Sequence, residues 1–185
     1  MSIKLTTHSS YDNIIPEVII IEDFTFDKQQ FYIPTWEELP TIDLYMDQLL
    51  SYLERYLSSF IKEEKEEKFI TKTMINNYVK QGVIEPPVKK KYTRTHIAKL
   101  FVICILKQVY SIHDIQSLIR LALKTSSIEI GYNKFCSMLQ ESIESTFNGT
   151  EYSCHTSLTR EQYILKNVTQ SFVNKLYVQI TFLKK

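Results

Sequence analysis

The chain has 185 residues and 44% of them are apolar, enough for one sizeable core and too many for a disordered or collagen-like chain. Lys and Arg number 22 against 21 Asp and Glu, so a net charge of +1 excludes a uniformly basic nucleic-acid coat but not a local patch. With only 3 glycines, neither a glycine-rich phosphate cradle nor a turn-rich β architecture is expected.

Residues 1–13 are polar, lack the apolar stretch of a secretory signal and read as a loose arm. Val18 to Ile21 is a β-branched run. Phe24-Thr25-Phe26 and Phe31-Tyr32-Ile33 flank a polar tetrapeptide, which suggests a short strand or hairpin. Pro34 and Pro40 bracket a turn that contains Trp36. Leu44, Met46, Leu49, Leu50, Leu53, Tyr56, Leu57 and Phe60 then recur at helical spacing and predict an amphipathic helix over 42–61. Lys62 to Lys68 is a charge run, read as a solvated helix end or surface loop.

Thr71 is a good N-cap, and Gly82 suits the left-handed residue just past a helix end. Between them Met74, Ile75, Tyr78 and Val79 form one stripe, while Lys72, Thr73, Asn76, Asn77 and Lys80 form the other. Pro86-Pro87 begins an extended connection that carries Lys89, Lys90, Lys91 and Tyr92. Thr93 or Thr95 caps the next helix, which runs to about Tyr110 and is apolar on nearly all sides from Leu100 to Leu106, so burial all round is expected. Ser111 opens a further helix with Ile112, Ile115, Leu118, Ile119, Ala122 and Leu123 on one face. Another carries Phe135, Met138, Leu139, Ser142, Ile143, Thr146 and Phe147. Thr159 with Gln162 matches a capping box before a last helix. No proline follows Pro87, so nothing interrupts these helices.

Charge is unevenly placed. Between Tyr11 and Lys68 there are 14 acids and 5 bases; between Phe69 and Lys124 there are 10 bases and 2 acids. Two explanations stand side by side: a polyanion-facing surface backed by an acidic face, or opposite charges that complement each other within one fold.

From Ile70 to Ile119 the chain resembles the winged helix-turn-helix of MerR-type regulators. Ile70-Thr71 matches the capped turn, Tyr78 the tyrosine of the second helix, and Gly82-Val83-Ile84 with Pro86 its exit. Lys90 and Tyr92 match the wing, Thr93 the cap of the third helix, and Ser111-Ile112-His113-Asp114-Ile115 the start of the fourth. More closely, residues 40–120 resemble a bacterial family known as domain of unknown function 1836 (DUF1836). Leu44-Tyr45-Met46-Asp47-Gln48, Thr71 to Tyr78, Lys90-Lys91-Tyr92 with His96, and Lys107 with Ser111-Ile112-Asp114-Ile115 carry the match. The chain departs from the MerR-type pattern at Asn76, where a phosphate-holding Arg is usual, at Met74, in a shorter wing, and in the charge run where a tight turn joins the first two helices.

The resemblance implies a mainly α protein: an N-terminal arm with a short β segment over 1–40, a winged helix-turn-helix core over 41–124 and a helical tail over 125–185. It also implies a DNA-binding transcription regulator. Lys72, Lys80, Lys89, Lys90, Lys91 and Arg94 would neutralise phosphates, and six such contacts suffice for salt-sensitive binding near ~10⁻⁴–10⁻⁶ M. Asn76 or Asn77 would pair with adenine, Thr71 and Thr73 would bond phosphate at the helix start, and Tyr92 would sit on the wing. The competing reading makes the asparagines ordinary exposed helix residues and the lysines a solvated loop. The protein would then be a non-catalytic interaction or structural module that has lost DNA binding.

The last helix carries Leu165, Val168, Phe172, Leu176, Ile180 and Leu183 at 3–4 spacing. That stripe either seals a homodimer, as the long C-terminal helix of MerR-type proteins does, or folds back on the chain's own core. Catalysis is not expected: no nucleophile elbow, zincin or phosphate-loop motif occurs, and His8, His96, His113 and His155 are scattered. His96 and His113 read as helix-surface residues. Cys104, Cys136 and Cys154 form no C-x-x-C pair, so neither a disulfide framework nor a metal site is expected. Cys104 reads as a packed thiol. No cofactor, membrane span or small-molecule ligand signature is identifiable, and a cytoplasmic location follows from the reduced cysteines.

Overall fold

A helix apolar on every side can be stable in water only when other elements enclose it, and the run from Leu100 to Leu106 sets that requirement. In the computed structural model, which describes residues 31–61, 68–150 and 158–183, that run forms the centre of a mainly helical fold. The elements in chain order are β1 (Leu44–Tyr45), α1 (Met46–Leu57), α2 (Lys72–Lys80), β2 (Lys91–Tyr92), α3 (Arg94–Leu106), α4 (Ile112–Thr125), α5 (Ile128–Phe147) and α6 (Arg160–Thr181). α1, α4, α5, α6 and β2 all pack on α3. Ile97, Ala98, Leu100, Phe101, Ile103 and Ile105 are completely buried.

Each helix start is fixed by a local device. Thr71, Ser111, Ser127 and Thr159 accept a hydrogen bond from the backbone N–H three residues on, which satisfies a donor that the helix leaves orphaned. At α1 the backbone N–H of Tyr45 instead donates to Gln48 Oε1 at 2.9 Å. The start of α3 is unusual. His96 Nδ1 lies 3.0 Å from Thr93 N and accepts its proton, so Nε2 carries the ring hydrogen and donates to the Glu85 carbonyl at 3.1 Å. His96 is therefore buried, contrary to the helix-surface placement expected above; its imidazole spans the cap of α3 and the loop before it. His113 is exposed, as expected.

The chain ahead of β1 is not a strand in its described part. Only Phe31 has 3₁₀ geometry here, and Tyr32 and Ile33 are irregular. The Phe31 ring is drawn inward between Phe60 and Phe147, with centroids 5.6 and 5.7 Å away, so side-chain burial and not a backbone ladder places this segment. The rest of the expected hairpin, Val18 to Phe26, lies outside the described residues, as does most of the charge run. Residues 34–40 form a strap across α5 and α3. Tyr132 Oη donates to the Pro34 carbonyl at 2.8 Å, and Trp36 N donates to Asn133 Oδ1 at 2.8 Å. Thr35 and Tyr32 both bond Glu38, and these hydrogen bonds hold the Glu38 carboxyl below the usual carboxylate value.

Leu44 and Tyr45 also differ from expectation. They do not begin α1 but pair antiparallel with Tyr92 and Lys91, a two-strand ribbon that joins the front of α1 to the start of α3. α6 folds onto the core of its own chain. Val168, Phe172, Leu176 and Ile180 are buried; Leu165 is half-buried and Leu183 is exposed. Ser142 Oγ meets Thr169 Oγ1 at 3.2 Å, and Thr169 in turn donates to a carbonyl of its own helix, so this buried pair is satisfied. Four of the six residues considered for a dimer seam are thus covered within one chain. One apolar core runs from Phe31 to Ile180 and draws on all three of the expected segments. Among the described residues no helix is long and apolar enough to cross a membrane.

Cys104 and Cys136 are free thiols, and burial pushes each from an ordinary 9.0 up to about 12. Burial likewise raises Tyr78 to about 12 and Tyr132 well above 10.0. The unfolded chain ionises these groups first, so the stability they contribute is intact at neutral pH and declines as pH climbs past 9 towards 12. Urea denaturation at pH 8 and pH 10 is expected to show a lower midpoint at the higher pH. Phe172→Ala should cost about 3–5 kcal/mol in the same assay without altering the sedimenting mass. A change of oligomeric state in that variant would show that the stripe seals two chains and not one.

Candidate nucleic-acid interface

α2 is short, and its two faces are sharply divided. Ile75 and Tyr78 are buried, which anchors the helix on the core. At its C-terminal end Gly82 takes φ +67°, so its N–H reaches the Val79 carbonyl at 3.0 Å while Val83 N reaches the Tyr78 carbonyl at 2.9 Å. This Schellman closure turns the chain away and directs Val83 and Ile84 into the core. The opposite face then presents Lys72, Thr73, Asn76, Asn77 and Lys80 to solvent, as the sequence pattern requires. Thr71 is half-buried and spends its hydroxyl on Met74 N at 3.2 Å.

The second basic element is a tight turn. Lys91 N donates to the Val88 carbonyl at 2.9 Å, and Lys89 and Lys90 between them have φ of +50° and +64°. Two consecutive left-handed residues define the type I′ hairpin turn, a position that Asn and Gly occupy easily and lysine occupies under strain. Both lysines are exposed at its tip.

The front of α1 ties the two elements together. Lys72 Nζ pairs with Asp47 Oδ1 at 2.6 Å, and two residues earlier the ring of Tyr45 lies 5.1 Å beneath Lys91 Nζ, in the strand that pairs with Tyr45. The N-terminus of α2 and β2 therefore meet on one short stretch of β1 and α1. Gln116 of α4 fixes the other end of α2 by donating to the Gly82 carbonyl at 2.9 Å.

Not every expected residue belongs to this surface. Tyr92 is buried against His96, with ring centroids 5.5 Å apart, and is part of the core. Arg94 points back: its guanidinium lies 5.5 Å from the Trp36 ring centroid and bonds the Leu39 and Pro40 carbonyls, which locks the strap. Lys91 is half-buried on Tyr45. The exposed set is Lys72, Thr73, Asn76, Asn77, Lys80, Lys89 and Lys90.

Sequence reasoning passed over one pair. Lys99, 7% exposed, bonds Glu85 at 2.5 Å. Desolvation pushes the Glu85 carboxyl up, but the hydrogen bond from Lys99, its own backbone and the nearby positive charge outweigh it, and the net effect is a lowered value. A lysine inside an otherwise apolar helix was the available signal. Among the described residues no group of three or more His, Cys, Asp or Glu is placed to hold a metal ion.

A family model described as Domain of unknown function (DUF1836) matches residues 34–135. The two ends of that span are hydrogen-bonded together, Pro34 to Tyr132 and Trp36 to Asn133. No curated protein and no solved structure matches the chain.

Replacing Lys89 with Asn and Lys90 with Gly supplies the residues that a type I′ turn favours. The double variant is expected to gain about 1 kcal/mol, which for a chain of this size raises the melting temperature by about 2–4 °C. Differential scanning calorimetry checks this; an unchanged or lower melting temperature would mean that the turn carries no strain.

Proposed function

The chain belongs to the DUF1836 family, and on that footing we propose that it is a DNA-binding regulator of winged helix-turn-helix type. α2 enters the major groove with Asn76 and Asn77 towards base edges, while Thr73 and Lys80 bond flanking phosphates. The turn at Lys89 and Lys90 rests on the adjoining phosphate rail as a short wing. The observation that carries this reading is the exposure of both asparagines on a helix whose start faces Asp47, two residues from the Tyr45 ring on which Lys91 beside the exposed basic turn lies. The reading does not depend on a dimer through α6, because most of that stripe is already covered.

A second reading, a protein-interaction module without DNA binding, is favoured by the way the cations are spent. Lys72 faces Asp47, Lys91 lies on Tyr45 and Arg94 holds the strap, so three of the six groups expected to neutralise phosphate are already engaged.

Fluorescence anisotropy with random duplex DNA at two salt concentrations separates the two. Lys80, Lys89 and Lys90, with Lys72 released from Asp47, give a slope of log affinity against log salt of about −3.6. Lys89→Glu with Lys90→Glu should abolish binding and leave the melting temperature within a few degrees. Asn76→Ala should weaken a selected site by roughly 1–3 kcal/mol while sparing random DNA. Absence of salt-dependent binding at micromolar protein rejects the regulator and leaves the interaction module.

A further inference from the structure

An apolar groove of about 360 Å³ lies between α3, α4, α5 and the first turns of α6. Three helices leave apolar residues incompletely covered there. On α4 Ile115 alone is fully buried, while Leu118 and Ile119 are half-buried and Leu123 is exposed. Ile128 of α5 and Leu165 of α6 line the same groove and are half-buried. An apolar stripe at helical spacing is built to be covered, and this one is covered only in part.

The rim carries more positive than negative charge. Arg120 and Lys124 of α4 are exposed and adjoin lining residues in sequence, Lys134 lines the groove and is exposed, and Arg160 opens α6. Glu129 and Glu161 are the acids in corresponding positions. Lys99 adds nothing to this balance, because Glu85 already holds its ammonium.

The chain ahead of Phe31 has the complementary composition. Ile14, Ile15 and Val18 to Ile21 are apolar, Glu17 lies among them, and Glu22 and Asp23 follow at once. From Ile14 to Asp27 there are 4 acids and no Lys or Arg. A β-branched run of this kind is an aggregation hazard when left in water, so it too requires cover. The groove is within its reach. Phe31 stacks on Phe147 near the end of α5, with ring centroids 5.7 Å apart. Phe135, which lines the groove, stands twelve residues back along that helix, about 18 Å away. The ten residues from Ile21 to Phe31 span up to about 33 Å.

We propose that residues Ile14–Asp23 of this chain dock in the groove, with the isoleucines and Val18 against α4 and α6. Glu17, Glu22 and Asp23 then face Arg120, Lys124 and Lys134. A second copy is the poorer occupant, because two such faces would bring like-charged rims together. None of the lining residues belongs to α2 or to the basic turn, so the contact is independent of DNA binding and is tested without DNA.

The test is paramagnetic relaxation in the full chain, with a spin label on Ser10→Cys in a Cys154→Ser background; Cys104 and Cys136 are buried. Amide signals of residues 118–124 and 160–165 should broaden most, and the sedimenting mass should not change with concentration. Ile19→Asp with Ile20→Asp should reduce that broadening at least threefold. Arg120→Glu with Lys124→Glu, on the other side of the contact, should do the same. Circular dichroism accompanies each variant; where the α4 pair loses helical signal, the pair in the docking segment decides. Three outcomes would overturn the proposal: broadening centred on α2, the Lys89 turn or the end of α6; broadening that survives the Ile19 and Ile20 changes; or a sedimenting mass that rises with concentration and falls back in the α4 pair, which would make a second copy the occupant.

Discussion

The structure depends on the enclosure of α3. Its burial is a hydrophobic requirement with no preferred direction, so the fold must bring cover from several sides, and it draws that cover from far along the chain. α1 and β2 supply one part, α4 and α5 others, and α6 returns from the far end, with Tyr110 Oη on Ser171 and Lys175 Nζ on the Gln108 carbonyl to fix its position. This is why a stripe that suits a dimer seam is used up inside one chain. Phe172 and Val173 are buried within the core of their own chain.

Hydrophobic cover does not specify orientation, and directional polar contacts do that work here. Arg94 at the first turn of α3 grips the strap through two carbonyls and the Trp36 ring, while Tyr132 and Asn133 grip it from α5. His96 links the same turn of α3 to the loop leaving α2. Arg94 and Tyr92 were attractive as DNA contacts because of their type and place in sequence. Their positions on the strap and in the core show that a cation and an aromatic beside a basic turn serve the scaffold as readily as a ligand.

The basic surface is small because several of its charges are balanced locally. The acidic first half and the basic middle do meet, as in the Lys72–Asp47 pair, which is 59% and 80% exposed and therefore weak. Such a pair is readily exchanged for a phosphate, so it moderates affinity without forbidding it. Among the described residues the lysines at the tip of the type I′ turn have no partner of this kind, and they hold a conformation that lysine does not favour. Strain of that sort persists where the surrounding structure determines it, and both lysines are exposed there.

Much of this was legible in the sequence. Helical periodicity, the caps at Thr71, Ser111 and Thr159 and the Gly82 stop are local properties, set by backbone dihedrals and hydrogen-bond geometry within a few residues; the apolar run Leu100 to Leu106 is buried as expected except at Val102, which is half-buried. The outward face of α2 followed from the same periodicity. The pairing of Leu44 with Tyr92, the recruitment of Arg94 to the strap, the burial of His96 and the Lys99–Glu85 bond were not legible, because each joins residues that only the packed chain brings together. The fate of the α6 stripe and the space beside α4 belong to the same class. An apolar face states that it must be covered, but which surface covers it, and how completely, is decided by the shapes that meet in the tertiary structure.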